Sequence, residues 1–213
     1  VAHHHFYRDE ARQRATAAIR QIEAATSVQV VVALRPRVDD YRAADYLAGL
    51  VLALAVLAAL LYLPMPFSLS SVPLDTLVGF VIGAAACARL PPLRRVLTPR
   101  RLLAESTHRA ACAAFLDHGL SKTKSRLAIL VFVGMFERCV DVLPDVGIEE
   151  AALGAEWTQT LAALRASVAG TPDVDDFIAA LRRMGPLLQH AYPRGKAPVE
   201  DLPDEMPDEE RRS

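Results

Sequence analysis

The sequence predicts an α/β fold, a small few-stranded sheet flanked by helices and interrupted by a two-span transmembrane helical hairpin. Three observations lead there. Residues 46–88 hold two apolar runs around a short Pro/Ser turn: Tyr46 to Leu63 carries no charge, and Val72 to Ala88 carries one, Asp75. As helices they would span roughly 27 Å and 26 Å, close to the hydrocarbon thickness of a bilayer. Strand-like runs lie on both sides of this segment, Ser27 to Leu34 (SVQVVVAL) before it and Leu127 to Met135 (LAILVFVGM) after it. Much of the remaining chain repeats its apolar residues at helical spacing. The roughly 170 residues outside 46–88 are enough to bury an ordinary core. A strand before the insertion must therefore meet strands after it. The expected division is 1–45 for the first part of the α/β domain, 46–88 for the hairpin, 89–192 for the second part, and 193–213 for a Pro-rich acidic tail expected to be disordered.

In chain order, Asp9 to Ala25 reads as an amphipathic helix, with Ala15, Ala18, Ile19, Ile22 and Ala25 on one stripe. Ser27 to Leu34 is a β-branched strand that ends at Arg35-Pro36. After the hairpin, Pro91-Pro92 should stop the second span. Thr98 and Pro99 suit the N-cap and first position of a helix over Arg100 to His118, and Gly119 suits its C′ position. The near-continuous apolar run 127–135 suits a central strand covered on both faces. Arg138 to Leu143 alternates polar and apolar residues, so it should pair as an antiparallel neighbour through a tight turn. Glu149 and Glu150 open a short helical piece. Glu156 to Val168 and Asp173 to His190 follow as amphipathic helices, the last with a candidate kink at Gly185-Pro186.

Charge distribution orients the hairpin. The chain's net charge is −1, and basic and aromatic residues are not interleaved, so nucleic acid is not an expected partner. Arg35, Arg37 and Arg42 precede the first span. Arg89, Arg94, Arg95, Arg100 and Arg101 follow the second with no acid among them, while the turn Pro64 to Ser71 is uncharged. Basic residues near span ends stay on the cytoplasmic side, so both termini and the α/β domain are expected there. The five arginines form a basic collar that an anionic leaflet would attract by about 1 kcal/mol each. No cleavable signal is expected, since VAHHHFYRDE has an acid and no apolar stretch. Gly79 and Gly83 form a GxxxG that Cys87 extends, and Gly49 and Ala53 offer a matching face. Such small residues permit close helix packing, either within the hairpin or between two chains. Asp75 is expected to cap the start of the second span, its carboxylate accepting from free N–H groups of the first turn and facing the positive end of the dipole, with an ion or proton pathway as the sharper option.

Candidate chemistry is sparse. The three cysteines, Cys87, Cys112 and Cys139, show no disulfide or zinc spacing and read as buried small hydrophobes. His3, His4 and His5 are consecutive and so point in different directions, which suits solvation rather than a zinc site. Asp141, Asp145, Glu149 and Glu150 gather near the end of the last strand. They read as a solvated turn, or, in Asp141, Asp145 and Glu149, as oxygen ligands for a divalent cation such as calcium. The basic loop 121–126 (SKTKSR) reads as solvated, with phosphate or lipid head groups as the sharper option. Trp157 reads as a core or interface anchor. There is no P-loop, dinucleotide turn or nucleophile elbow.

The segments Glu23-Ala-Ala-Thr-Ser27-Val-Gln-Val-Val-Val-Ala33, Ala110 to Gly119, Ala128-Ile-Leu-Val-Phe-Val133 and Val140-Asp-Val-Leu-Pro-Asp145-Val-Gly147-Ile together resemble the TPM-domain family. That family includes photosystem-repair proteins of the thylakoid lumen and many bacterial membrane proteins. The first segment is similar to the family pattern E-x-x-T-S-x-E-I-V-V, with Gln29 where an acid is common. With the inserted hairpin, the arginine collar and the lack of an assembled catalytic set, the expectation is a multi-pass protein of a bacterial inner membrane whose α/β domain supports assembly, stability or repair of membrane proteins without strong catalysis. The resemblance implies no cofactor beyond an optional divalent cation. A weak divalent-metal-dependent phosphatase is the alternative. Implied partners are the lipid bilayer, other membrane proteins, and a second copy of the chain.

Overall fold

Seven consecutive buried residues, Ala128–Gly134, form the central strand of a three-stranded mixed sheet. The structure, a computed structural model, describes residues 9–62, 70–122 and 125–195. The chain divides into two units: Val1–Val38 with Ala104–Ser213, and the inserted Asp39–Leu103.

In the first unit, α1 (Asp9–Ala25) leads into β1 (Gln29–Arg35). After the insertion come α5 (Arg100–Asp117), the central strand β2 (Ala128–Gly134), β3 (Cys139–Pro144), α6 (Glu150–Ala169) and α7 (Val174–Ala191). β1 pairs in parallel with β2, from Gln29 opposite Ala128 to Arg35 opposite Gly134. β2 pairs antiparallel with β3, from Ile129 opposite Pro144 to Gly134 opposite Cys139. The strand before the insertion thus joins the strands after it in one α/β sheet.

Side-chain alternation along these strands serves two cores. One face carries Val30, Val32, Leu34, Ile129, Val131, Val133, Val140 and Val142, covered by α1, α6 and α7 through residues such as Ile19, Ile22, Trp157, Phe177, Leu181 and Leu188. The other carries Val31, Ala33, Leu130 and Phe132, covered by Ala111 and Ala114 of α5 and by Leu120 just beyond it. Coverage of both faces is the reason β2 reads as an unbroken apolar run while β3, at the edge, alternates.

Local chemistry sets the element ends. Gly119 takes φ 69° directly after α5, the left-handed cap that glycine adopts without steric cost. Asp173 caps α7, its carboxylate accepting from the N–H groups of Asp175 (2.8 Å) and Asp176 (3.2 Å). α7 runs through Pro186 without ending. Gly154 (φ 71°, ψ −167°) breaks the helical backbone inside α6, so the short piece after Glu149 and the longer helix that follows are two segments joined at a kink.

The inserted unit contains α2 (Arg42–Tyr62), α3 (Val72–Arg89) and α4 (Pro91–Leu97). By length and composition, α2 and α3 are each long and apolar enough to cross a membrane. Three details differ from expectation. The proline pair does end α3 at Leu90, but it also starts α4, because a proline at the first helical positions loses no hydrogen bond. The Thr98 hydroxyl donates backward to the Arg94 carbonyl (2.8 Å), closing α4 instead of capping α5. Ser71 occupies the N-cap position of α3, and Asp75 lies in the first turn, its N–H donating to the Ser71 carbonyl (2.9 Å).

Candidate functional site

The acids singled out in the sequence take separate roles. Asp141 is the third residue of β3, opposite Phe132 and therefore on the face beneath α5. There its Oδ2 lies 2.7 Å from Nδ1 of His108 on α5. Asp145 is buried just beyond β3. Its Oδ1 accepts from the Val146 N–H (2.8 Å) and lies 3.7 Å from an Arg126 guanidinium nitrogen, while its Oδ2 is buried without a hydrogen-bond partner. Glu149 precedes α6, and its N–H donates to the Tyr192 hydroxyl (2.7 Å). Glu150 accepts from the Trp157 indole N–H (3.2 Å), which anchors the buried ring at its polar edge. Among the described residues, no group of three or more His, Cys, Asp or Glu side chains could hold a metal ion.

The cysteines differ from the expected uniform burial. Cys87 is buried, Cys139 is half-buried and Cys112 is exposed. The reason for Cys112 is helical phase: Ala111 and Ala114 turn to the sheet, so position 112 turns to solvent. Its thiol lies one turn beyond His108, with Sγ 3.7 Å from His108 Nε2. Burial, with the nearby Glu137 charge adding to it, raises the Cys139 thiol above its ordinary range.

The small residues of the inserted unit lie where α2 and α3 meet. A Cβ on Gly49 would stand 2.8 Å from the Phe80 carbonyl oxygen, one on Gly79 2.9 Å from Val56 Cγ2, and one on Gly83 2.7 Å from the Ala48 carbonyl oxygen. Ala53 and Cys87 are buried beside them, and Cys87 Sγ lies 3.6 Å from the Ala44 carbonyl oxygen. The pairing of 49 with 80–83 and of 53–56 with 79 makes the two helices antiparallel. Of the five arginines, Arg89, Arg100 and Arg101 are exposed and Arg95 is half-buried. Arg94 is different. It is buried and makes a bidentate ion pair with Asp45, Nε to Oδ1 at 2.9 Å and a terminal nitrogen to Oδ2 at 2.6 Å. A guanidinium so engaged is not available to a lipid head group.

Two constellations escaped sequence reasoning, Asp45–Arg94 and Cys112–His108–Asp141. The spacing of His108 and Cys112, four apart on one helix, was the available signal for the second. His3, His4 and His5, the turn residues 64–69, Thr123 and Lys124 of the basic loop, and tail residues 196–213 lie outside the described residues.

No protein-family profile matches the chain, and no curated protein matches it. Among solved structures, the chain is similar in fold to the NMR structure of BA42 protein from the psychrophilic bacterium Bizionia argentinensis. The TM-score is 0.55 at 14% sequence identity, over 93% of this chain and 92% of that one. At that identity the likeness concerns the fold alone.

Proposed function

We propose that this chain is a membrane-anchored, TPM-like interaction protein. Its α/β unit faces the cytoplasm at a bacterial inner membrane and supports the assembly, stability or repair of other membrane proteins. The observation that carries this reading is the surface of the inserted helices. Only 22% and 17% of the apolar stretches of α2 and α3 are buried, whereas the core helix of a water-soluble protein is mostly buried. Leu50, Val51, Leu54 and Leu61 of α2 and Leu74, Leu77, Val81 and Ile82 of α3 project outward, while the glycines face inward. So many outward apolar side chains on two neighbouring helices are costly in water and are accommodated by a bilayer.

Two antiparallel spans return the chain to the side it left, so segments before α2 and after α3 share one compartment. Arginines at both ends of the insertion favour the cytoplasm as that compartment. The order of helix, strand, insertion, helix and two strands supports the TPM-like reading. Of the acids that a metal-dependent phosphatase would draw on, Asp141 meets His108 and Asp145 accepts from the Val146 N–H in separate contacts, and the interaction reading is the one carried forward.

The test is purification of the full chain in mild detergent from its native membrane. Specific membrane proteins should copurify, and they should be lost when Leu50, Leu54, Val81 and Ile82 are all changed to Ser and the chain leaves the membrane fraction. A chain that stays in the supernatant without detergent would overturn the anchor. Robust phosphate release from a phosphomonoester, dependent on added calcium, magnesium or manganese and abolished by Asp145→Ala, would overturn the non-catalytic role.

A further inference from the structure

We propose that Cys112, His108 and Asp141 form a thiol-exchange site on the open face of α5, one that takes low-molecular-weight disulfides. The three groups stand in a line. Asp141 Oδ2 is 2.7 Å from His108 Nδ1, and His108 Nε2 is 3.7 Å from Cys112 Sγ, within reach of a long S–H···N contact. An Asp carboxylate at Nδ1 accepts a hydrogen bond from the N–H there, which leaves Nε2 as the acceptor facing the thiol. This is the nucleophile, base and orienting carboxylate arrangement that activates a weak nucleophile. The sheet supplies the orienter. Asp141 is fixed by the register of β3, and its side chain is only 20% exposed, whereas the His108 side chain is 60% exposed.

The surroundings select the electrophile. Cys112 lies within α5, where backbone N–H groups are committed to carbonyls one turn back. Acyl transfer needs donors aimed at a developing oxyanion, and a mid-helix position offers none. A disulfide needs no such donors, since its leaving group is itself a good thiolate. The open helix face imposes no shape on the reagent, which suits a small flexible disulfide. Of the three cysteines, Cys112 alone is exposed.

In the reaction, the Cys112 thiol gives its proton to His108 Nε2 as Sγ attacks one sulfur of the disulfide. The Sγ–S bond forms, the original S–S bond breaks, and the departing thiolate takes the proton back from the imidazolium. The products are a mixed disulfide at Cys112 and one free small thiol, with no net oxidation. Asp141 is a positioning residue that holds the ring and its tautomer. The proposal is independent of the membrane reading.

The full chain in detergent, treated with glutathione disulfide near neutral pH and read by mass spectrometry of the Cys112 peptide, tests it. Adduct should form on Cys112 of the folded chain about tenfold or more faster than on the same cysteine in urea, because an unassisted thiol is only a few per cent thiolate near neutral pH and an adjacent base raises that share. His108→Ala should lose that advantage, and free imidazole should restore part of it, which a purely structural histidine would not show. Asp141→Asn should slow the reaction severalfold, and Asp141→Glu should recover part of the loss. A folded rate equal to the urea rate, or a His108→Ala rate equal to wild type, would overturn the proposal.

Discussion

Single residues in this chain matter most where a charge or a thiol is withdrawn from water. Arg94 and Asp45 illustrate it: both are buried, and their side chains share two hydrogen bonds. The pair's net worth is modest, because desolvation offsets most of the attraction, but half a pair is costly. Arg94→Leu alone should therefore destabilise the chain by about 3–5 kcal/mol, with Asp45→Leu similar, while the double Leu variant recovers most of the loss. Thermal or denaturant unfolding of the four proteins in detergent measures this, and additive single losses would show that the two side chains do not act as a pair. Cys139 gives the second case. Burial, together with the Glu137 charge, raises its thiol above the ordinary cysteine range. The unfolded chain then loses that proton at lower pH than the folded chain. The resulting stability is fully present below the unfolded thiol pKa and is lost as pH rises through the raised folded value. Unfolding midpoints should fall across the alkaline thiol range, and Cys139→Ala should flatten part of that fall. An identical decline in both proteins would assign it to other groups.

At the scale of elements, the chain's grammar was largely open to reading. The run 127–135 announced a doubly covered strand because every residue of it had a core to face, and the chain has two such cores. The alternation in 138–143 announced its edge neighbour for the converse reason. What could not be read were pairs made by packing: His108 with Asp141 is 33 residues apart, and Arg94 with Asp45 is 49 apart. Those depend on how helices settle, and local periodicity carries no information about that. The hairpin stands between these cases, since the matching small faces, Gly79 and Gly83 against Gly49 and Ala53, were visible, and the larger neighbours that close on them, Phe80 and Val56, were not. Its geometry now ranks them. A methyl at Gly83 would press on backbone, the Ala48 carbonyl oxygen at 2.7 Å and the Gly49 Cα at 3.0 Å, whereas one at Gly79 would press mainly on the Val56 side chain. Gly to Ala in a helix interior carries an intrinsic gain of about 0.8–1 kcal/mol, and forced overpacking costs about 1–3 kcal/mol. Gly83→Ala should thus be net destabilising and Gly83→Ile more so, while Gly79→Ala stays near neutral because a side chain yields more readily than backbone. Unfolding of the three variants in detergent checks the order; Gly79→Ala costing more than Gly83→Ala would contradict the packing described.

At the scale of the whole molecule, the proposed membrane anchor raises the question of which side of a bilayer the α/β unit would occupy. The insertion leaves from and returns to one folded unit, since β1 before it and β2 after it share a sheet. That unit therefore cannot be divided between compartments, and the charges flanking the insertion must choose one for all of it. Arg42 at the start of α2, Arg89 at the end of α3, and Arg95, Arg100 and Arg101 beyond it remain unburied even with Arg94 committed to Asp45. Translocating them would oppose the bias that retains basic residues inside. The exposed Cys112 is a native reporter of the outcome, because Cys87 is buried and Cys139 half-buried. In cells with a permeabilised outer envelope and an intact inner membrane, a membrane-impermeant maleimide should leave Cys112 unlabelled. Disrupting the inner membrane should expose it. In a Cys112→Ser background, Ser70→Cys, between the spans, should behave in the opposite way and label from outside. Labelling of Cys112 before disruption, together with protection of position 70, would invert the topology and remove the cytoplasmic role built on it.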